Sequence, residues 1–428
     1  PHLGVCIEGI SVVQASPRPA WRRIVELLVA FGCNDAVAKL REMLAEESCR
    51  DGWPETIGAL GELKSASAEQ QILSRLHEEP EACVDALVRI GSAPTVARLE
   101  DELFDASLEV RPAWHEEAAK LLYQLRPGPE TLEKLRTHGL LSASVLAALP
   151  ICASIDEMKL LGDLAQQPGH PLRQSALRSL GQAAGVHGIA PLAQALDDRD
   201  EDIRELAQSA LRELGRRLYR YGVSRPPCLV DATSAEEAGN LLLADCLLAR
   251  LGEGRLDDQQ LQLLLEALVG HSHPHLLRGL GRFLRHKKTH VTKHAIQCLG
   301  AYGEQKVIPW LLPFAETEDI YILRQALVAL GNLGHDGATS TILASLDHPN
   351  MNIKKTAIAS LRGTTSAAVV PKILFWLSRH DNPGLRTDLV GVLKGVLKSD
   401  FVTVVASALD VVSAKRSWEL LLLTLSHE

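Results

Sequence analysis

The sequence predicts an all-α fold: a solenoid, or superhelix, of about twelve helical hairpins of about 31 residues each. Three observations carry that expectation. Aromatic residues make up only 4% of the chain, and Leu and Ala alternate with Arg, Glu and Gln in a manner suited to helices rather than pleated strands. No stretch combines the alternation and tight turn of a β-hairpin. Above all, one spacing recurs: HAIQCLG (294–300), QALVALG (325–331) and TAIASLR (356–362) superpose with Ala295, Ala326 and Ala357 each 31 residues apart. A chain of 428 residues would ordinarily divide into two or three closed domains. Repetition replaces such closed cores with a shared one.

In each unit the alanine marks a first helix. Leu299, Leu330 and Leu361 follow it by four residues, which puts both positions on one face. The register extends back through Leu264 and Leu268 and forward, with a one-residue slip, through Leu389 and Leu393. Ala176 and Leu180 recur as Ala207 and Leu211, and Leu27, Thr56, Ala86, Ala118 and Val145 continue the series at intervals of about 30. A turn and a second helix complete the unit, as in KVIPWLLPFAE (306–316) or ATSTILASL (338–346). One such pair is too small to bury its apolar face, so neighbours must stack. Pro191, Pro309 and Pro371 sit near the starts of second helices, where a missing N–H costs little.

An acidic turn, an apolar residue, Arg or Lys, and Ala three residues later appear as DDRDEDIRELA (197–207) and LDHPNMNIKKTA (346–357). HPLRQSA (170–176) and NPGLRTDL (382–389) are further copies, the last with Leu389 in place of Ala. In these residues the units resemble HEAT repeats of the phycobilin-lyase type, closely over about 150–400 and loosely over about 20–150. The resulting division is 1–150, degenerate N-terminal repeats; 151–215, regular repeats; 216–237, an inserted loop; and 238–428, regular repeats with a C-terminal cap. Asp residues before first helices serve as caps and favour the positive dipole end. The acidic runs Glu100, Asp101, Glu102, Asp105 and Asp197, Asp198, Asp200, Glu201, Asp202 are expected in such capping and exposed turns.

Two departures from regularity are candidate binding elements. Ala207 and Leu264 are 57 residues apart instead of 31, so about 26 residues are added within 216–237. There Arg216, Arg217, Arg220 and Arg225 interleave with Tyr219 and Tyr221, a set able to grip a carboxylate, phosphate or peptide. The plainer alternative is a first helix that runs long with solvated arginines. Secondly, no Asp or Glu occurs from Ala267 through Gly303. Arg278, Arg282 and Arg285 fall at i, i+4 and i+7 as one stripe, which Lys287, Lys288 and Lys293 extend. The HEAT resemblance implies that second helices line a concave surface, which would place this stripe inside the curve; the plainer alternative is a solvated helix face.

His271, His273 and His275 alternate in a turn, and His290 and His294 have an i, i+4 spacing that can chelate zinc. No HExxH and no Cys partner accompanies them, so turn and surface roles are expected and no metal. Trp310 and Trp376, on second helices, are expected to be packed. The eight cysteines are scattered without a CxxC pair, which suits reduced, buried thiols in a cytoplasmic protein. The chain begins at Pro1 without a Met or leader, which reads as a trimmed boundary or fragment. Its apolar runs, such as Leu261–Val269 and Leu420–Leu425, are half or less of the roughly 20 residues a bilayer span needs.

No Walker loop, GxGxxG, GxSxG elbow or Cys/His nucleophile constellation is present. The expectation is a non-catalytic scaffold or adaptor, without a cofactor, that docks a protein or peptide, an acidic segment being the fit to its stripe. A net charge of −8 weighs against a general nucleic-acid binder. Two alternatives stay open through the HEAT resemblance. One is a chromophore-handling enzyme similar to phycobilin lyases, against which the low aromatic content weighs. The other is a nucleic-acid binder similar to HEAT-like DNA glycosylases.

Overall fold

A computed structural model describes residues 18–104, 113–149, 153–222, 224–253, 256–334, 336–379 and 382–404. The first residues of the degenerate region, Asp105, and the cap expected after 404 lie outside the described residues. Among the described residues there are helices and turns and no strand. No described helix is long and apolar enough to cross a membrane. The chain forms two compact units, Pro1–Ala195 with Asp200–Pro226, and Leu196–Arg199 with Pro227–Glu428.

In the first unit the first helices are Arg18–Phe31, Trp53–Glu62, Pro80–Ile90, Trp114–Leu125, Ala143–Ala147, Arg173–Gln182 and Glu201–Tyr221. Each after Arg18–Phe31 packs on its predecessor. In the second unit Asp258–Leu268, Thr289–Tyr302, Ile320–Leu333, Met351–Ser360 and Pro383–Leu397 stack in the same way. Second helices alternate with them and form another layer, among them Asn34–Ala45, Glu69–Ser74 and Ala93–Leu103 in the first unit, and Ala235–Gly252 and Leu276–Leu280 in the second. This is the HEAT-type arrangement: all-α hairpins, each burying its apolar stripe against its neighbours.

The register residues are what the stack buries. Thr56, Ala86, Ala118, Val145, Ala176, Ala207, Leu264, Ala295, Ala326, Ala357 and Leu389 are all fully buried. The weak N-terminal member is displaced by one residue: Leu28 is buried and Leu27 is exposed. Glycine allows closer approach still. A Cβ on Gly181 would lie 2.8 Å from Ala210 Cα, and one on Gly331 would lie 2.8 Å from Ser360 Cα. Such separations are shorter than real side chains tolerate, so these glycines set the spacing between first helices.

The turns repeat as well. His286, Thr317 and His348, each 31 residues after the last, accept a backbone N–H two residues on, from Lys288, Asp319 and Asn350. Asp319 then caps Tyr321 N at 2.9 Å, and Asn350 caps Asn352 N at 2.8 Å. Asp200 caps Asp202 N at 3.0 Å, as the acidic-turn reading expects. Asp197 departs from it, because it is buried. Both its oxygens take Arg250 Nη2 at 2.8 Å, and Oδ2 also accepts from Gln260 Nε2 at 2.9 Å. An anion in that position is matched by a cation and an amide rather than by water.

The added residues are not a loop throughout. The helix Glu201–Tyr221 runs 21 residues against 10 for Arg173–Gln182, because Leu211, Leu214 and Leu218 continue its buried stripe. A short 3-10 turn at Pro227–Leu229 and the 18-residue helix Ala235–Gly252 follow.

Candidate functional site

The second-helix layer of the second unit carries a groove in two adjoining parts. One, of about 340 Å³, is lined by Asp245, Leu248, His273, Arg278 and Arg282. The other, of about 640 Å³, is lined by Arg282, Arg285, Pro309, Trp310 and Phe314. The stripe stands on a broken element: Leu276–Leu280 is α-helical, Phe283–Arg285 is 3-10, and the turn between them carries Arg282. Leu276, Leu280, Phe283 and Leu284 are buried beneath it.

Trp310 forms an apolar wall of this groove and is 44% exposed, contrary to the packed role expected from sequence. Its ring lies against Gly281, where a Cβ would come within 2.9 Å of Cζ3. Any larger residue at 281 would push the indole away. Arg282 is partly committed: its guanidinium stacks on Phe283 at 4.6 Å and donates to the carbonyl of Leu251. Arg278 and Arg285 are exposed and have no carboxylate partner among the described residues. Lys287 is exposed in the following turn, and Lys288 Nζ lies 3.9 Å from Asp258. Lys293 does not extend the stripe. It belongs to the first helix Thr289–Tyr302 and lines a different groove, with Tyr321 and Arg324.

At one end of the groove Asp245 Oδ1 lies 3.4 Å from His273 Nε2. His273 Nδ1 accepts the backbone N–H of His275 at 3.1 Å, so the ring proton sits on Nε2 and points at the carboxylate. Hydrogen bonding from His273 holds the Asp245 carboxyl below its ordinary value, despite partial burial. Burial, reinforced by the Asp245 charge and hydrogen bond, pushes the Cys228 thiol up to about 12. Such a thiol stays protonated and is a poor nucleophile.

The residues expected in the inserted loop are gathered in the first unit, mostly on a helix. Arg217 Nε bonds Glu213 at 2.7 Å, and Arg216 lies 3.5 Å from the same carboxylate. Arg225 covers the Tyr219 ring at 4.7 Å and donates to the Tyr219 carbonyl at 2.8 Å. Arg220 and Tyr221 are exposed at the end of the helix. A long first helix whose arginines are largely engaged by their own neighbours accounts for this set.

His294 Nε2 lies 3.3 Å from Glu266 Oε1, and burial holds its imidazole below the ordinary histidine value. Among the described residues no three His, Cys, Asp or Glu groups converge as metal ligands would. Trp376 is half-buried; its Nε1 donates to Asp347 at 3.2 Å and its ring carries the Lys354 ammonium at 3.8 Å.

No protein-family model matches the chain, and no curated protein matches it. Among solved structures, importin beta in an ammonium sulfate condition is similar at 15% identity and TM-score 0.34, over 96% of this chain and 63% of that one. Kap121p bound to Nup53p is similar at 13% identity and TM-score 0.42, over 92% and 51%. The complex of CpcE and CpcF of phycocyanin lyase from Nostoc sp. PCC7120 is similar at 16% identity and TM-score 0.24, over 76% and 97%. The chain thus spans under two thirds of the importin beta chain and about half of Kap121p.

Proposed function

We propose that this chain is a non-catalytic, cytoplasmic scaffold whose second-helix groove takes an acidic segment of a partner protein bearing an aromatic or aliphatic anchor. One observation carries the reading: Trp310, seated on Gly281, presents an exposed indole face beside Arg282 and Arg285. Aromatic and arginine side chains side by side supply the anchor and charged rim typical of binding hot spots. Apart from Asp245, which faces His273, the groove's lining carries no carboxylate, so Arg278 and Arg285 can attract a negative partner.

The test is titration of a fluorescent acidic peptide containing one Trp or Leu against the wild-type chain, the pair Arg278→Glu/Arg285→Glu, and Trp310→Ala. Each variant is expected to bind about tenfold or more weakly. Equal affinity for all three proteins would refute the reading.

A further inference from the structure

A second surface lies on the other layer of the same unit. Lys293, Arg324 and Lys355 occupy one repeat position, two residues before Ala295, Ala326 and Ala357, and recur every 31 residues. All three line one shallow groove of about 540 Å³ across three successive first helices. Tyr321, Asn352 and Thr356 stand between them as hydrogen-bonding groups, and Tyr321 is 73% exposed. Arg324 Nε donates to Thr356 Oγ1 at 3.4 Å, which steadies the guanidinium without neutralising it. Asp388 is the carboxylate in the lining, and it is paired with Arg362. None of the three cations has a carboxylate partner among the described residues.

We infer that this ladder is a second docking surface, for an extended acidic segment of a partner protein with a carboxylate at every third residue. The spacing argues for it. Packed helices lie about 8–10 Å apart, so successive rungs present one positive charge at about that interval. A polyproline II chain rises about 3.1 Å per residue with three residues per turn, and returns a side chain to the same side every 9 Å or so. Carboxylates at i, i+3 and i+6 therefore meet Lys293, Arg324 and Lys355 in turn. The chain's net charge of −8 weighs against a nucleic-acid strand as the occupant. The surface is separate from the Trp310 groove, and the inference stands whether or not that groove binds.

The test is fluorescence anisotropy with a labelled peptide of three Glu-Pro-Pro repeats, and with an isomer whose three Glu residues are adjacent. Arg324→Glu and the pair Lys293→Gln/Lys355→Gln are compared with wild type, with circular dichroism confirming that each folds. Lys159→Glu, an equal change of charge at an exposed position on the helix Ile155–Gln166 of the first unit, is the control. The spaced peptide is expected to bind the wild type and the control equally, and Arg324→Glu about tenfold more weakly. Equal binding by Arg324→Glu, equal binding of the isomer, or tighter binding of single-stranded nucleic acid would each overturn the inference. Equal loss of binding by the control would also overturn it, since net charge and not this groove would then govern binding.

Discussion

Gly300 and Ala329 are in backbone contact across two first helices: a Cβ on Gly300 would lie 2.6 Å from Ala329 Cα. The two helices meet there because one of them has no side chain. Gly300→Ala is therefore expected to destabilise the second unit by about 1–3 kcal/mol through overpacking. Gly391, exposed in Pro383–Leu397, is the contrasting site, because a Cβ there would meet nothing within 4 Å. At that position Gly→Ala is expected to stabilise by about 0.5–1 kcal/mol through helix propensity. Urea unfolding of both variants gives the two signs; equal effects would contradict the contact.

Asp197 and Arg250 form a largely buried pair that Gln260 completes. Asp197→Ala leaves Arg250 with the exposed Glu253 alone, so it is expected to cost about 3 kcal/mol, the low end for breaking a buried pair, and the double replacement with Arg250→Met less than the sum of the two singles. Denaturant midpoints for the cycle measure this. Additive losses would mean that the two side chains do not depend on each other.

Much of this molecule is legible in its sequence, and the exceptions have physical causes. The first-helix register is legible because the buried column is Ala or Leu at a fixed period of 31 residues from Leu264 to Ala357. It slips at Leu27 because an isolated unit offers several apolar residues, and only packing selects Leu28. The spacing role of Gly300 is hidden, since a mid-helix glycine reads as a weakness until its neighbour is known. Lys293 reads as part of one charge run with Lys287 and Lys288, but a turn intervenes and the layers separate them. The place of Trp310 is hidden because its ring rests on Gly281, a match between residues 29 apart in sequence. Asp197 likewise has a partner 53 residues away.

His294 makes stability depend on pH. Burial holds its imidazole below the ordinary 6.5, and this outweighs the pull of Glu266 in the other direction. The unfolded chain then takes up the proton more readily, so this contribution is fully present above the ordinary value and is lost as pH falls through it towards the folded one. His294→Asn is expected to flatten the decline in urea midpoint between about pH 7.5 and 5.5. An unchanged decline would mean that other groups are responsible.

Thiol reactivity reports on the buried spine. Cys298 donates to the Leu265 carbonyl at 3.0 Å and Cys83 to that of Ile72 at 3.3 Å; burial is the main cause pushing both thiols up to about 12. Both are expected to react with a maleimide or disulfide reagent only on unfolding. Mass spectrometry after a native pulse checks this, and rapid labelling of either would contradict the packing.

Hydrogen–deuterium exchange with and without a saturating acidic peptide carrying one aromatic anchor tests the central functional claim most directly. The account predicts added protection over 276–285 and 308–314, where the arginine stripe and Trp310 face each other. Protection confined to other segments, or bound peptide with no change in these two, would contradict it.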